Sequence, residues 1–241
     1  KPFVEKQEKL RNAEKTPDSD DDQNRTILLL FGPPGAGKGT QASSISSARE
    51  LLHISTGDMF REAAAAGTEL GLQAQEYMSR GDLVPDEVTI GMLLERISQP
   101  DAIAGFMLDG FPRTLPQASA LDEALAAQGT EIDTVPYIRV PEELLMDRLT
   151  GRWSCPECSD IYHTVTRPPK VEQICDSCPS SLVQRADDQP DTVKARLDTN
   201  REWTESLAEY YEAQGKLRLI DGTGAPEDIT RRILETLDAT G

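Results

Sequence analysis

The segment GPPGAGKGT at residues 32–40 has the glycine and lysine spacing of a phosphate-binding loop. Glycines let successive backbone N–H groups curl around phosphate oxygens, and a lysine at this position can bridge the outer phosphates. Lys38 is the only lysine within residues 16–169, which argues against a merely solubilising charge. An ordinary glycine-rich turn is the alternative. Gly39 stands where the strict motif has Ser or Thr, and the hydroxyl follows at Thr40, so direct hydroxyl ligation of Mg²⁺ is left open.

A second candidate for phosphate chemistry is an apolar run at residues 106–108 that ends in Asp109. A strand ending in a carboxylate is typical of a Walker B motif, whose acid holds Mg²⁺ directly or through water; an ordinary capping aspartate is the alternative. Arginines also recur beside glycines, acids and turns, and planar guanidinium groups bind phosphate oxygens in pairs. A single helical arginine is ordinarily a surface residue, so their convergence stays open. They are Arg61, Arg113, Arg148, Arg152, Arg185 and Arg196.

The four cysteines form two C-x₂-C pairs separated by sixteen residues, Cys155 with Cys158 and Cys175 with Cys178. This spacing is typical of a structural zinc site, in which four thiolates leave no position for a catalytic water. Two disulfides or a redox pair are the alternatives. Because a chain of this size needs no disulfides for its core and shows no signal-like apolar segment, we expect a reducing compartment.

Composition narrows the classes of function. The 241 residues include 42 acidic and 25 basic side chains, giving a formal net charge of −17, and the mean hydropathy is −0.48. This length can bury a large core, and no apolar run approaches the roughly 20 residues of a membrane helix. The acidity argues against sequence-independent binding to nucleic acid or anionic lipid. We therefore expect a globular protein that binds neither a membrane nor nucleic acid. Adaptation to a salty cytoplasm is a further hypothesis that would explain the acidity.

Strands and helices are predicted to alternate from Thr26 onwards. The apolar run at residues 27–31 ends at Gly32 and indicates a strand buried on both faces. This alternation predicts a parallel α/β sheet. Further strands are predicted at residues 52–55, 106–108, 135–140 and 217–220.

Three helix starts and one interruption are predicted between these strands. Asp86 is predicted as an N-cap, and Pro141 and Pro226 as first helical residues. Residues 151–188 interrupt the alternation with cysteines and prolines, which indicates an inserted lobe. The helix after Asp86 is indicated by the i, i+3, i+4, i+7 spacing of Ile90, Leu93, Leu94 and Ile97.

Three motifs occur in an order that resembles the adenylate kinase family. With the four cysteines, the sequence looks more closely like the long bacterial type with a zinc-bearing lid, and the match extends from Thr26 to the C-terminus. The motifs are GPPGAGKGT at residues 32–40 with Gln41, STGDMFR at residues 55–61, and DGFPRT at residues 109–114 with Gln117.

The resemblance implies an α/β fold with a P-loop NTPase-like parallel β-sheet core flanked by helices, an inserted NMP-binding lobe and an inserted zinc-binding lid. The core would comprise residues 26–54, 85–150 and 189–241, the NMP-binding lobe residues 55–84 and the lid residues 151–188. Residues 1–25 are predicted to be a charged, flexible tail. The implied activity is reversible, Mg²⁺-dependent phosphoryl transfer from ATP to AMP, giving two ADP, in a cytoplasmic monomer whose closing lid excludes water.

The resemblance also implies a role for each matching position. For ATP it implies Gly35, Ala36, Gly37, Lys38, Gly39, Thr40, Arg148 and Arg152. For AMP it implies Thr56, Arg61, Leu83, Val84, Gly110, Arg113, Gln117, Arg185 and Arg196. The implied catalytic residues are Lys38, Asp109, Arg113, Arg148, Arg185 and Arg196. The implied metal ligands are Cys155, Cys158, Cys175 and Cys178 for structural Zn²⁺, and Asp58 and Asp109 for Mg²⁺ through water. Tyr162 and His163 match positions that border the ATP base, and His163 is expected to be structural rather than catalytic.

Two rival functions remain at this stage. A kinase for another nucleoside monophosphate lies in the same class, although Thr56 and residues 110–117 favour AMP. A P-loop switch or zinc-ribbon adaptor would bind nucleotide or nucleic acid without transferring phosphoryl groups, but the net charge weighs against nucleic acid.

Overall fold

A computed structural model describes residues 25–239 of the chain, and these residues form eight α-helices and seven β-strands. The tail predicted for residues 1–25 lies, apart from Arg25, outside the described residues. The strands are β1 (Thr26–Leu30), β2 (Leu52–Ser55), β3 (Gly105–Asp109), β4 (Val135–Arg139), β5 (Arg152–Ser154), β6 (Ile161–His163) and β7 (Leu217–Asp221). The helices are α1 (Lys38–Arg49), α2 (Thr56–Ala65), α3 (Glu69–Arg80), α4 (Asp86–Ile97), α5 (Leu115–Ala126), α6 (Glu142–Thr150), α7 (Pro190–Ala213) and α8 (Pro226–Asp238).

Five strands form a parallel layer in the order β2-β3-β1-β4-β7. Strand β3 pairs with β1 on one side and with β2 on the other, while β4 pairs with β7. Parallel bridges from Leu28 to Thr134 and from Phe31 to Tyr137 join β1 to β4. The parallel α/β architecture predicted from the sequence is therefore confirmed.

The central strands are apolar on both faces because helices cover both sides of the sheet. Alternate residues of β1 enter opposite clusters, as the two-residue period of a strand requires: Ile27 and Leu29 pack with α4, α5 and α7, and Leu28 and Leu30 pack with α1 and α8. This double burial explains the unbroken apolar run in the sequence.

Two predicted helix starts need correction. Helix α4 has Pro85 at its N-cap, and Asp86 is its first helical residue rather than the cap. Helix α6 begins at Glu142 with Pro141 at the N-cap, because Pro141 keeps extended backbone angles (φ −55°, ψ 139°). Pro226 is the first residue of α8, as predicted.

Two segments stand apart from the sheet layer. Helices α2 and α3 follow β2 and pack against each other, and a small lobe between α6 and α7 contains the antiparallel hairpin of β5 and β6. The four cysteines lie in that lobe around a separate apolar cluster. Among residues 25–239, none of the helices has the length and apolar character needed to cross a membrane.

Candidate active site

A cleft of about 1500 Å³ lies at the carboxyl ends of β1, β2 and β3. In open parallel sheets, this edge is where ligands ordinarily bind. Residues from the loop after β1, from α2, from β3 and from the small lobe line it together. The predicted site residues that line it are Gly35, Ala36, Gly37, Lys38, Gly39, Thr40, Asp58, Arg61, Asp109, Gly110, Arg113, Arg148, Arg152, Cys158, Arg185 and Arg196.

The loop between β1 and α1 is built to present backbone N–H groups to the cleft. Gly35 has φ +83°, a left-handed conformation that favours glycine. Helix α1 starts directly after Gly37 and has no side-chain cap, so its first N–H groups keep no side-chain acceptor. The positive end of a helix dipole adds to this donor set. The loop can therefore bind a phosphate group.

Lys38 folds back over this loop. Its Nζ donates to the carbonyl oxygens of Gly32 at 2.8 Å and Pro33 at 3.0 Å. Burial lowers the pKa of Lys38 to about 8, with smaller contributions from the positive charges of Arg113, Arg196 and Arg152, and against the attraction of Asp109. An anionic ligand in the cleft would favour the charged ammonium form.

Asp109 is the last residue of β3 and faces the same loop. Burial works to raise the pKa of its carboxyl, but the neighbouring His53 and the charge of Lys38 outweigh burial and hold that pKa below its usual range. His53 Nε2 lies 3.8 Å from Asp109 Oδ2, beyond hydrogen-bond distance. The Asp109 carboxylate is therefore ionised at neutral pH, and carboxylates with waters suit Mg²⁺.

Arg152 and Arg196 meet at two consecutive aspartates before α7. Arg152 donates to both oxygens of Asp188 at 2.8 and 2.5 Å, and Arg196 Nη1 donates to Asp188 Oδ1 at 3.2 Å. Arg196 also donates to the backbone oxygen of Asp187 at 2.8 Å and lies 3.1 Å from its carboxylate. The guanidinium groups of Arg152 and Arg196 can thus lie side by side, because buried carboxylates neutralise their positive charges.

Arg61 and Arg185 converge from different segments on Asp58. Arg61 forms an ion pair with Asp58 within α2, and Arg185 Nη2 lies 3.9 Å from the same carboxylate. Burial works to raise the pKa of Asp58, but the charge and hydrogen bond of Arg61, together with Arg185 and Ser55, outweigh it and hold that pKa below its usual range. Burial lowers the pKa of Arg185 to about 10, still well above neutrality. This contact joins the small lobe to α2.

A hydrogen-bonded corner around Gly110 holds Arg113. Gly110 has φ +80°, and a Cβ there would lie 3.2 Å from both Arg113 Nη2 and Thr56 Oγ1. Its carbonyl oxygen accepts from Thr56 Oγ1 at 3.0 Å and from Arg113 Nε at 2.9 Å. Burial lowers the pKa of Arg113 to about 10, so the guanidinium stays charged. Gln117 Oε1 accepts from the backbone N–H of Arg113 at 2.7 Å.

Other predicted site residues lie behind the cleft or beside it. Thr56 and Gln117 are buried behind its wall. Leu83 and Val84 lie between α3 and α4, where the Val84 side chain packs in a small apolar cluster. Arg148 contacts backbone oxygens on both sides of the loop, with Nη2 donating to Gly222 at 3.0 Å and Nη1 lying 3.5 Å from the oxygen of Ala36.

The four cysteines converge in the small lobe as free thiols. Their Sγ atoms all lie within 4.8 Å of one another, with 3.4 Å between Cys155 and Cys178 and 3.5 Å between Cys158 and Cys175. Four sulfurs bound tetrahedrally at about 2.3 Å from zinc are separated by about 3.8 Å. The donor set and its spacing therefore fit Zn²⁺, and no disulfide joins these cysteines.

His163 has the structural contacts expected of it. Its Nδ1 accepts from the backbone N–H groups of Val165 at 3.1 Å and Thr166 at 3.2 Å. That leaves the proton of the neutral ring on Nε2, which donates to the carbonyl of Asp147 at 3.1 Å. Nδ1 thus holds the turn that follows β6 within the small lobe, and Nε2 joins that lobe to α6.

Sequence reasoning missed several residues of the site. Asp187 and Asp188 received no role, although they hold two predicted arginines. Asp86 was assigned to a helix cap, yet its carboxylate accepts from Thr114 Oγ1 at 2.9 Å and from Gln117 Nε2 at 2.7 Å. The sequence did hold one signal for the two aspartates. They lie directly before the helix that carries Arg196, where an acidic pair is suited to neutralise the charge of that arginine.

The chain is similar to known proteins over most of its length. A family model described as adenylate kinase matches residues 30–216. An adenylate kinase of Carboxydothermus hydrogenoformans is 53% identical over 210 residues, which cover 87% of this chain and 98% of the relative. Those of Staphylococcus aureus strain Mu50 and Staphylococcus epidermidis are each 51% identical over 211 residues, covering 88% of this chain and 98% of theirs.

Proposed function

The chain belongs to the adenylate kinase family, and from that premise we propose a Mg²⁺-dependent, reversible transfer of the terminal phosphoryl group of ATP to AMP under a closing lid. Family membership supports the overall reaction, which yields two ADP. The metal dependence, the lid movement and the residue roles below are the finer parts of the proposal.

One observation carries this proposal. The loop with Lys38 and the arginines of the corner and the lobe line a single cleft, with Asp109 between them. A donor phosphate at the loop and an acceptor phosphate at the arginines would thus face each other. Phosphoryl transfer requires such in-line placement, together with positive charge around the transferring group.

The chemistry needs no nucleophilic side chain. An oxygen of the AMP phosphate, already ionised at neutral pH, attacks the terminal phosphorus of ATP. The bond from that phosphorus to the bridging oxygen breaks, and the electron pair leaves with the ADP formed from ATP. Lys38 and the arginines stabilise the charge that spreads over the transferring oxygens.

Mg²⁺ enters with ATP and, when bound, neutralises charge on its phosphates. Asp109 and Asp58 are the side chains we assign to hold it through water. Asp109 is suited to this role because its carboxylate is ionised at the foot of the loop. Asp58 is already paired with Arg61, so its contribution to Mg²⁺ binding depends on a rearrangement of that ion pair.

We assign the ATP side of the cleft to residues 35–40, Arg148 and Arg152. Arg148 is supported by its position between the loop and Gly222, where a base could lie against its guanidinium. The AMP side is assigned to Thr56, Gly110, Gln117 and the backbone near Leu83 and Val84 for the nucleoside, and to four arginines for the phosphates. Those arginines are Arg61, Arg113, Arg185 and Arg196.

The domain division follows the same assignment. We assign residues 26–54, 85–150 and 189–241 to the core, residues 55–84 to the AMP lobe and residues 151–188 to the lid. A lid that closes over both substrates would keep water, the competing acceptor, out of the cleft. Its four cysteines would hold Zn²⁺, which stabilises a lobe with little apolar core of its own. We further propose a monomer in a reducing, cytoplasmic setting, which keeps the four cysteines out of disulfides and available to zinc.

The test is formation of ADP from AMP and Mg-ATP by the full chain, with Lys38→Ala as the control. We expect two ADP per ATP consumed, and loss of that activity in the variant. A panel of AMP, CMP, GMP and UMP reads acceptor choice in the same assay.

Three outcomes would contradict parts of the proposal. Faster turnover of another monophosphate would replace AMP as the acceptor. Binding of ATP with no transfer to any monophosphate would favour a nucleotide-binding switch. Activity that is unchanged after Mg²⁺ is removed by chelation would overturn the metal dependence.

A further inference from the structure

Tyr162 has its ring in the core of the lid and its hydroxyl against the cysteine cluster. Only 1% of the residue is exposed, and it packs with Cys155, Cys175 and Leu182. It belongs to β6, directly opposite Trp153 on β5. The ring is therefore fixed by the hairpin, and so is the position of its hydroxyl oxygen.

The hydroxyl of Tyr162 contacts the second cysteine knuckle and a residue that follows the first. It accepts the backbone N–H of Asp176 at 2.7 Å and lies 3.5 Å from Cys175 Sγ, both in the second knuckle. It also lies 3.1 Å from the carboxylate of Asp160, which follows the first knuckle. Because the Asp176 N–H occupies an acceptor position of the oxygen, the hydroxyl proton is free to be donated.

The two acceptors for that proton differ in what they do to the lid. Donation to Asp160 ties the hairpin to the first knuckle, and the same Asp160 oxygen accepts from Ser177 Oγ at 3.1 Å. Donation to Cys175 becomes more favourable when the sulfur is a thiolate, as it must be to bind zinc, because hydrogen bonds to charged acceptors are stronger.

We propose that Tyr162 is a positioning residue of the zinc site, whose hydroxyl holds Cys175 and its knuckle in the arrangement that the metal requires. This inference rests on the zinc site proposed above. It makes the affinity for zinc depend on a side chain that is not a ligand. Partners that orient metal ligands in this way typically contribute a factor of about 10 to 100 in metal affinity.

The experiment measures zinc affinity of the full chain in reducing buffer, by competition with a chromophoric zinc chelator. Tyr162→Phe keeps the ring and removes the hydroxyl, and we expect it to bind zinc about 10 to 100 times more weakly. The matched control is Tyr210→Phe, which removes a hydroxyl that donates to Asp122 at 2.7 Å on the core. Its zinc affinity should equal that of the wild type.

Ser177→Ala is the control within the lid. It removes the other hydroxyl on the Asp160 carboxylate but leaves Tyr162 intact, so we expect a clearly smaller loss of affinity than in Tyr162→Phe. An equal loss in both variants would place the effect on Asp160 and overturn the proposal.

The Co²⁺-substituted protein gives a readout at saturating metal, where the metal itself orders the lid. Loss of a hydrogen bond to a thiolate raises the energy of its electrons, so the sulfur-to-cobalt absorption of Tyr162→Phe should shift to longer wavelength. An unshifted band, or a zinc affinity within twofold of the wild type, would overturn the role of Tyr162 and leave the zinc site standing. A wild-type chain that binds no zinc would overturn both.

Discussion

Arg152 and Asp188 are joined by two hydrogen bonds, from Nε to Oδ2 at 2.8 Å and from Nη2 to Oδ1 at 2.5 Å. Arg152 opens the first strand of the lid, and Asp188 lies in the turn that leads into α7. One ion pair, whose carboxylate is fully buried, thus closes the base of the lid. Because Arg196 shares this carboxylate, Asp188 fixes two of the proposed phosphate-binding arginines at once.

Asp188→Ala should be strongly destabilising. Removing one partner of a buried pair leaves uncompensated charge, which typically costs about 3 to 5 kcal/mol. The free energy of unfolding, measured by urea denaturation, checks this value. Turnover should fall as well, since Arg152 and Arg196 lose the group that holds them.

Glu142→Ala is the matched control for Asp188→Ala. Glu142 on α6 pairs with Arg201 on α7 at 2.8 Å, but more than half of each side chain is exposed. Exposed pairs contribute about 0 to 1 kcal/mol, so this variant should remain close to the wild type in stability and activity. Equal losses in the two variants would show that burial of Asp188 has no special effect.

The affinity for ATP should weaken as the pH rises above 8. Burial sets the pKa of Lys38 at about 8 in the protein without nucleotide, against an ordinary value of 10.5. A bound phosphate requires the ammonium form, so binding above this pKa must take up a proton, at a cost in affinity of up to about tenfold per pH unit. Calorimetric titration with a non-hydrolysable ATP analogue from pH 6.5 to 9.5 measures this decrease in affinity.

Lys38→Arg provides the control for that titration, because a guanidinium stays charged throughout this range. Its ATP affinity should be flatter with pH, whatever its absolute value. The same pKa shift predicts a stability effect of opposite sense. Between about pH 8 and 10.5 the unfolded chain holds more protons at this site, so the lysine's contribution to the free energy of unfolding rises with pH. A flat affinity profile in the wild type would contradict the low pKa.

Gly110→Ala should raise KM for AMP much more than KM for ATP. The residue has φ +80°, and its new Cβ would lie 3.2 Å from Thr56 Oγ1 and from Arg113 Nη2. Those groups must move, and both belong to the proposed AMP side. Steady-state kinetics with each substrate varied in turn measures the effect.

Gly129→Ala is the control for Gly110→Ala. It introduces the same backbone strain without a close contact between the new Cβ and a neighbouring side chain. Gly129 has φ +72°, but nothing lies within 4 Å of an added Cβ. Both variants should lose about 1 to 2 kcal/mol of stability from the left-handed conformation, yet only Gly110→Ala should change KM for AMP. A similar KM change in Gly129→Ala would indicate a general loss of stability instead.

Removal of zinc should affect stability more than turnover. The four cysteines hold together a lobe whose apolar cluster is small, so chelation, or replacement of Cys155 and Cys158 by serine, should lower the melting temperature in calorimetry. Turnover at low temperature should fall less, because no zinc position is left for a substrate or a catalytic water. Loss of turnover in a lid that remains folded would contradict a purely structural metal.

Most of the sheet could be predicted from the sequence because burial on both faces leaves a simple signal. The apolar runs at residues 27–31 and 106–108 became β1 and β3, within one residue of their ends. Helix starts were less predictable. Asp86 is an ordinary N-cap residue type, but its carboxylate is directed at Thr114 and Gln117, more than 25 residues further along the chain.

The aspartates of the site were the hardest part to predict. Asp187 and Asp188 resemble any acidic surface pair, and in a chain of net charge −17 they do not stand out. Their burial follows from Arg152, which reaches Asp188 across 36 positions of sequence. Their place directly before the helix of Arg196 indicates a partner for that arginine, but no local pattern indicates the contact with Arg152. Glycine loops and paired cysteines, by contrast, encode their own geometry.

Strand β1 lies in the middle of the sheet, with β3 on one side and β4 on the other. Its last residue, Leu30, pairs with Asp109, so synthesis must advance through the intervening stretch before that pair can close. At ordinary rates of translation this takes roughly 4 to 16 s. For an interval of that length after it emerges from the ribosome, an almost wholly apolar strand lacks its β3 partner, so it exposes apolar surface that a chaperone can bind.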